Sequence, residues 1–447
     1  MSSNDPRVGA DPVAVLAPGP PRRRLLVDTA PLRAHRDFRL LWVGQGITFL
    51  GSMITYVAVP FQVYALTRSS ALVGLLGLVE FVAMLSTAFL GGALADAVDR
   101  RLMVRVTEGL MLLTSAALLG NAVLDHPSVV LLFVLTGLLT AFDALQRPSL
   151  DALLPRLVPK DQLVPAAALN SFRMTAGMIA GPALGGVLIS VAGLAATYAF
   201  DVLTFAVSLV ALQLMRAVPP PPEAERPSVK GVVEGLRYAR SRPELMGTYL
   251  VDINAMFFGM PNALFPALAA GFGGASVLGL LYSAPALGAL VASATSGWTS
   301  RIHRHGQAVL WAAGLWGVAI VGFGMSDWLW LALVFLALAG AADMVSGVFR
   351  STIWNTTIPD HLRGRLAGIE LISYSTGPTL GNVEAGGLAA LTSPRWSVGF
   401  GGVMCVVGTL ALAAALPAFR AYDARDQTSS EAPHGASREA SREAEAH

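Results

Sequence analysis

Long stretches without a charged residue constrain the fold of this 447-residue chain more than any other feature. The stretch from Ile253 to Ser300 contains no Asp, Glu, Lys or Arg, and as a single helix it would be about 70 Å long at 1.5 Å per residue. Because the hydrocarbon core of a bilayer is only about 30 Å thick, this stretch must fold as a hairpin of two membrane spans. Gly271, Gly273 and Gly274 supply the turn between the two spans.

The same criterion, about 20 apolar residues for each crossing, predicts twelve spans in two groups of six. The spans lie near residues 40–67, 69–95, 102–124, 128–150, 164–191, 195–215, 245–270, 276–300, 306–326, 328–357, 366–392 and 396–419. The fifth and sixth spans form a second hairpin that turns near Gly193. Only 13% of the residues are charged, against about 25% in an ordinary soluble domain, which argues against a soluble enzyme.

Lysine and arginine residues predict the orientation of the spans. Alternate loops hold nearly all of these residues, whereas the other loops hold only Arg68 and Arg395. Because positively charged loops stay in the cytoplasm, both termini are expected there. Arginine greatly outnumbers lysine, and Ala and Gly are abundant, which indicates a high-GC bacterial source. The plasma (inner) membrane is then the expected location.

The chain divides into five segments by these patterns. They are a cytoplasmic N-terminal tail (1–37), a first six-helix half (38–216), a cytoplasmic linker (217–243), a second six-helix half (244–420) and a disordered cytoplasmic tail (421–447). No cleavable signal peptide is visible at the N-terminus. The linker contains an amphipathic helix that lies either on the membrane face or in solvent. A shift of 200 residues aligns Asp143 with Asp343, which indicates a duplicated architecture.

A glycine-rich and charged loop separates the second and third predicted spans. It runs from Gly91 to Arg101 and includes Gly92, Asp96 and Arg100. Glycines at a helix end let another helix approach closely, and Asp96 can accept hydrogen bonds from a helix N-terminus. The two arginines can pair with Asp96 or with lipid phosphates. The simpler alternative is an ordinary positively charged loop.

This loop resembles the signature motif of the major facilitator superfamily, which lies between spans two and three. Ala97 stands where the family usually has a basic residue, and the resemblance implies that Asp96 makes the family's interaction. It also implies an all-α membrane protein of twelve transmembrane helices in two pseudo-symmetric six-helix halves, the major facilitator fold.

The fifth span contains a second motif of glycines around a proline. Its members are Gly177, Gly181, Pro182, Gly185 and Gly186. Proline removes a backbone donor and bends the helix, while the glycines allow close packing around the bend. The spacing resembles a motif of proton-driven exporters of the superfamily, which implies a kinked helix that seals one side of a central cavity. A kink that serves packing alone is the alternative.

Two further segments resemble the enterobactin-exporter-like, multidrug efflux branch of the superfamily. They are residues 38–42 (Phe-Arg-Leu-Leu-Trp) and 234–238 (Glu-Gly-Leu-Arg-Tyr). The resemblance extends over residues 35–420. It implies alternating access between the two halves, with export as the direction of transport.

Glu80 is an acid in the middle of an apolar span. It lies ten residues after Ser70, about 15 Å from the predicted outer end of the span, and therefore near the midplane of the bilayer. Ionisable groups at that depth are costly, so each is a candidate for function by default. We expect Glu80 to bind the coupled proton. The alternative is that it only forms a hydrogen bond with a neighbouring helix.

Charged pairs are predicted at the inner ends of the fourth and tenth spans. Asp143 and Arg147 share one helix face at a spacing of i, i+4, and Arg173 of the fifth span is expected at a depth where it meets Asp143. Asp343 and Arg350 form the equivalent pair in the second half. These groups form either a cytoplasmic gate that a proton or a ligand opens, or a permanent structural ion network.

The remaining ionisable residues are expected to have lesser roles. Asp252 and Glu370 lie in the inner halves of their spans and are expected in the same ion network, whereas Asp201 and Glu384 are expected near the outer surface. The seven histidines show no metal-ligand spacing within a helix, and Cys405 is the only cysteine, so no metal site is expected. The sequence contains no nucleophile–base constellation, which argues against an enzyme.

These features predict a secondary active transporter that exports a small organic molecule, such as a siderophore, an antibiotic or an amphipathic drug, by proton antiport. The expected partners are the substrate, protons and the lipid bilayer, with no cofactor beyond the proton gradient and no nucleic acid. The net charge of only +2 agrees with the absence of nucleic acid, and a monomer is expected. One alternative is an importer of the same fold, working by symport or facilitated diffusion. Another is a non-transporting membrane receptor or assembly factor.

Overall fold

The computed structural model describes residues 28–97, 99–216, 237–238 and 240–425, without the side chains of 88–97, 360–365 and 367–374. The described residues form helices and no strand. The helices are α1 (Ala30–Ala34), α2 (Arg36–Thr67), α3 (Ser70–Ala97), α4 (Arg100–Ala122), α5 (Val129–Leu157), α6 (Leu163–Leu214), α7 (Pro243–Gly259), α8 (Phe265–Phe272), α9 (Ala275–Ala294), α10 (His305–Met325), α11 (Leu329–Thr357), α12 (Asp360–Leu391), α13 (Pro394–Ala415) and α14 (Pro417–Arg420).

The helix α6 is a hairpin of two spans that turns at Gly193. This residue has a φ of +80°, a backbone conformation that glycine adopts without a steric penalty. Eight residues before the turn, Gly185 packs against Ile54 of α2. Eight residues after it, Asp201 accepts a hydrogen bond of 2.8 Å from Thr55. Both parts of α6 therefore meet the same turn of α2, and we call them its first and second arms.

The described helices agree with the predicted number of crossings. Ten helical segments in the described part of the chain are long and apolar enough to cross a membrane, and one of these is the α6 hairpin, which crosses twice. The helix α12 has 32 residues and is also long enough to cross. The architecture is consistent with twelve spans. The predicted linker helix lies almost entirely in 217–236, which is outside the described residues, as are 1–27 and 426–447.

The seventh predicted span departs from a single helix. The helix α7 ends at Gly259, a 3₁₀ turn covers Asn262–Leu264, and α8 begins at Phe265. Pro261 and Pro266 explain the break, because a proline has no backbone N–H to donate within a helix. The turn predicted after this span is present: Gly273 and its neighbour both have positive φ angles and connect α8 to α9.

Both ends of the described chain lie at one end of the helix bundle, which we call the terminal end. The opposite, distal end contains the connection from α2 to α3 and the turn at Gly193. The residues that follow α13 fold back onto the second half at the terminal end. There the fully buried Phe419 packs against Gly247 and Gly306, and the N–H of Ala424 donates to the carbonyl of His303 at 3.0 Å.

Candidate functional site

The two halves of the molecule touch at the distal end, along α3 and α12. Gly74 packs against the backbone carbonyl of Asn382, and Gly386 packs against the carbonyl of Ser70. The side chain of Asn382 also accepts a hydrogen bond of 3.0 Å from the N–H of Ala263. Because glycine has no side chain, the backbones of the two halves approach each other closely at these points.

The glycine and proline motif of α6 packs its first arm between two helices. Three of the glycines face α2 of the same half: Gly177 lies against Phe49, Gly181 against Met53, and Gly185 against Ile54. At each of these positions an added Cβ atom would lie within 3.3 Å of an atom of α2. A larger residue therefore fits only if α2 or its side chains move.

The other side of this motif contacts α9, which belongs to the second half. Gly279 packs against the carbonyl of Pro182, and a Cβ atom on Gly279 would lie 3.0 Å from the Cα atom of Gly186. Ser283, one turn further along α9, donates a hydrogen bond of 2.8 Å to the carbonyl of Ile179. The motif thus forms the second contact between the halves at the distal end.

Glu80 lies beside a pair of tyrosines that join the two halves. The rings of Tyr56 and Tyr282 are in edge contact with their centroids 5.3 Å apart. Asn262 donates to the Tyr56 hydroxyl at 3.3 Å, and the Tyr282 hydroxyl donates to the carbonyl of Asn262 at 3.2 Å. Glu80 lies close enough to both phenols for an electrostatic interaction, and it has no hydrogen-bond or ion-pair partner among the described residues.

In the second half, Arg350 of α11 is held between two acids. It forms an ion pair with Asp252 of α7 and a hydrogen bond of 3.3 Å with Asp343 on its own helix. Arg350 and Asp252 are both buried, with 8% and 6% of their surface exposed. The structure therefore brings Asp343 and Arg350 together, as their spacing predicts, and adds Asp252 from a different helix. The side chain of Glu370 is outside the described residues.

The corresponding charges of the first half are not paired in this way. Asp143, Arg147 and Asp151 follow one another along the exposed face of α5, and no ion pair shorter than 4.0 Å joins Asp143 to Arg147 among the described side chains. The predicted meeting of Arg173 with Asp143 is also not seen in the described structure. Arg173 instead bends along its own helix and donates to the side chain of Asn170 at 2.7 Å.

A cavity of about 90 Å³ opens beside Arg173 near the terminal end of the first half. Besides Arg173, the polar residues in its wall are Gln45, Asp151 and Asn170, and Trp42 contributes an aromatic surface. The residues belong to the first turns of α2 and α6 and the last turns of α5. The cavity therefore combines a cationic group with an apolar wall.

The arginines of the predicted signature loop bind backbone carbonyls. Arg101 donates to the carbonyls of Leu212 and Gln213 at 2.8 and 2.7 Å, at the C-terminal end of α6, where a cation is favoured by the helix dipole. Arg100 donates to the carbonyl of Ala152 at 3.2 Å. The surroundings of Gly92 and the side chain of Asp96 are outside the described part of the structure.

Two further acids of the first half are buried. Glu108 of α4 is fully buried and is not among the predicted site residues. Asp201, predicted near the outer surface, lies eight residues after the turn at Gly193, is 1% exposed and contacts Thr55. The rule that singled out Glu80, an ionisable group in an apolar span, also applies to Glu108.

The family model of transmembrane secretion effectors in the major facilitator superfamily matches residues 27–442. The chain belongs to this family. Two similar relatives are enterobactin exporters, EntS of Citrobacter koseri, 31% identical over 395 residues, and EntS of Shigella boydii, 30% identical over 392 residues. Each alignment covers 87% of this chain and 94% of the relative.

Solved transporter structures share the fold of this family member. A bacterial homologue of the iron transporter ferroportin in an inward-facing state superposes with a TM-score of 0.65 at 16% identity, covering 85% of this chain and 98% of the other. The nucleoside transporter NupG superposes with a TM-score of 0.69 at 12% identity and the same coverage. The major facilitator fold and the prediction of a multi-pass exporter of small molecules, rather than an enzyme, are confirmed.

Proposed function

We propose that this family member exports an amphipathic organic molecule of the siderophore type by alternating access in exchange for protons. The observation that carries the proposal is the one-sided contact between the halves. They touch at the distal end through α3 with α12 and through α6 with α9, whereas α5 and α11 do not form a packed interface with each other in the described residues. A substrate site between the halves is then accessible from the terminal end.

The orientation follows from the distribution of arginine and lysine, which puts the terminal end in the cytoplasm. With that orientation, the structure corresponds to an inward-open state in the plasma (inner) membrane. The protein works as a monomer in the bilayer, and the proton gradient is its only source of energy.

Arg173 supplies a site for an anionic group of the substrate. Its guanidinium lies in the wall of the terminal-end cavity, and no acid forms an ion pair with it among the described residues. Trp42 in the same wall offers an apolar surface to the rest of the molecule. An amphipathic substrate with acidic groups fits these two features, and enterobactin exporters are among the relatives.

Proton coupling is assigned to Glu80 or to Asp143. Glu80 lies beside the Tyr56–Tyr282 contact that joins the halves, so a change in its charge acts on the closure of the distal end. Asp143 lies on α5, which faces the open side. A proton that neutralises either acid shifts the balance between the inward-open and outward-open states.

The test is the accumulation of enterobactin, and separately of a fluorescent amphipathic dye, in inverted membrane vesicles. Full-length protein is expected to concentrate a probe inside the vesicles when a proton gradient is imposed, and Glu80→Gln is expected to abolish that dependence. Glu384→Gln, another acid of an apolar span, is the matched control and is expected to transport normally. Accumulation in the opposite direction would identify an importer, and full proton-driven export by Glu80→Gln would remove Glu80 from the coupling mechanism and leave another acid of the first half.

A further inference from the structure

Glu108 lies in a closed group of polar side chains inside the first half. It is fully buried on α4, where α2, α5 and the second arm of α6 surround it. Its Oε1 atom accepts hydrogen bonds from the side-chain amide of Gln45 on α2 and from that of Gln146 on α5, the latter at 3.4 Å. Side chains from two other helices, α2 and α5, therefore donate to this one carboxyl group.

The second oxygen of Glu108 has no donor. Oε2 is buried without a hydrogen-bond partner among the described residues, and so is the hydroxyl of Ser208, which the second arm of α6 places beside the carboxyl group. The Ser208 hydroxyl can donate to Oε2 when Glu108 is ionised and can accept from Oε2 when Glu108 is protonated. The two oxygens can therefore share a hydrogen bond in either protonation state.

No cation forms an ion pair with Glu108 among the side chains that the structure describes. The charged side chain that acts on it is Asp143 of α5, which has the same sign, while α2 and α6 contribute Gln45 and Ser208, which carry no charge. On α4 itself, Arg105 forms no ion pair with it in the described structure. A buried carboxylate without a cation is costly, so a bound proton stabilises this arrangement.

Asp201, the other buried acid of this half, is surrounded differently. It accepts hydrogen bonds from the hydroxyls of Thr55 at 2.8 Å, Ser115 at 2.7 Å and Thr204 at 3.4 Å. Both short bonds go to Oδ2, while the Thr204 hydroxyl also donates to the Asp201 backbone carbonyl at 2.7 Å. Two hydroxyl donors on one oxygen favour the carboxylate more than the two amide donors of Glu108 do, so Asp201 serves as the control acid.

We propose that Glu108 is a proton-binding site of this transporter, loaded from the terminal-end cavity. Gln45 lines that cavity together with Asp151 and also hydrogen-bonds to Glu108, which links the buried carboxyl group to the open side. In the loading step, the carboxylate takes a proton from a hydronium ion, giving the carboxylic acid and water. The inference rests on the proposed function, because proton binding is useful here only if transport is coupled to protons.

Release of the proton changes the contacts between helices. The carboxylate requires additional donors, so the Ser208 hydroxyl turns toward Oε2 and the amides of Gln45 and Gln146 bind more tightly. These groups belong to α6, α2 and α5. The first arm of α6 and α2 also form the distal contacts, so the protonation state of Glu108 acts on the closure of the distal end.

The test begins with infrared difference spectroscopy of the full-length protein in liposomes, without substrate, as the pH is lowered. The wild type is expected to gain the C=O band of a buried carboxylic acid, and Glu108→Gln is expected to lose this band. Asp201→Asn is expected to keep it, and Glu108→Asp, which retains a carboxyl group, is expected to show a displaced band. If Glu108→Gln keeps the band unchanged, the proposal is wrong. If the wild-type band disappears when Na⁺ is added, the site binds a metal cation instead of a proton, and the proposal is also wrong.

The second readout is transport of enterobactin in the same liposomes. Glu108→Gln is expected to lose stimulation by a pH gradient while retaining exchange of enterobactin across the membrane without a gradient. Retained stimulation by the gradient would overturn the assignment of Glu108. If the wild type moves no probe at all, the proposed function fails, while the infrared band still decides whether Glu108 binds a proton.

Discussion

Two neighbouring glycines of α12 allow a controlled test of the contact between the halves. A Cβ atom on Gly386 would lie 2.5 Å from the carbonyl oxygen of Ser70 and 3.2 Å from the Cα atom of Ala71, both in α3 of the other half. A Cβ atom on Gly387 would have no neighbour within 4 Å. Gly386→Ala therefore adds a methyl group to the contact, whereas Gly387→Ala adds the same group to open space.

The size of the effect follows from this geometry. Ordinary contact begins at 3.4 Å, so the Ser70 oxygen has to move by 0.9 Å, and because it is a backbone atom the helices α3 and α12 must separate. Overpacking of this kind costs about 1–3 kcal/mol. This free energy destabilises only the state in which the distal end is closed. The ratio of molecules with a closed distal end to molecules with an open one therefore falls by about 5- to 150-fold. The gain in helix propensity from Gly to Ala is common to both variants and cancels.

Distances between spin labels in nanodiscs measure this ratio. Val191 and Met325 are exposed residues at the distal ends of the two halves, and both accept a nitroxide label in a Cys405→Ala background. Double electron–electron resonance is expected to show a larger long-distance population for Gly386→Ala, and the parent distribution for Gly387→Ala. If the distributions of both variants coincide with the parent, the α3–α12 contact does not hold the distal end closed.

Three further predictions concern stability, each measured as unfolding by SDS in mixed micelles. Arg350→Ala leaves Asp252 without its cation and is expected to lower the free energy of unfolding by about 3–5 kcal/mol. The double variant Asp252→Asn, Arg350→Gln removes both charges and is expected to lower it by less. A larger loss of stability in the double variant than in Arg350→Ala would contradict the pairing. Phe419→Ala is expected to lower the free energy of unfolding by about 3–5 kcal/mol and to make the segment after α13 accessible to protease. Cleavage at the wild-type rate would show that Phe419 does not hold this segment against the second half. Trp354→Phe removes the 2.8 Å hydrogen bond to Thr248 and is expected to cost about 0.5–1.5 kcal/mol, so an unchanged stability would contradict that bond.

Turns between spans could be predicted from length and glycine content alone. The charge-free stretch after Ile253 is too long for one crossing, and the turn lies at Gly273 as expected. The break at Pro261 could not be predicted with the same certainty, because membrane helices tolerate proline when neighbouring groups satisfy the freed backbone. Whether Pro261 bends or ends the helix depends on its packing partners, which a sequence does not reveal.

Pairs on one helix were easier to foresee than pairs between helices. The spacing of Asp343 and Arg350 pointed to a contact that the structure contains, but the strongest partner of Arg350 is Asp252, which comes from α7. Glu108 lies in an apolar span as Glu80 does, but the sequence does not reveal its partners Gln45 and Gln146, which come from two other helices. Only the packing of α2, α4 and α5 brings these groups together.

The difference between the two halves indicates where a proton can act. In the second half, the single cation Arg350 faces two acids and forms its direct ion pair with the buried Asp252, so a proton on Asp252 would break a buried ion pair. In the first half, Glu108 and Asp143 have no ion-pair partner among the described residues, so a proton added there removes an uncompensated charge. A neutral variant of Asp252 is therefore expected to reduce stability first, and neutral variants of Glu108 and Asp143 are expected to reduce coupling first. We therefore expect the charge that changes during transport to lie in the first half, and the Asp252–Arg350 ion pair to persist throughout.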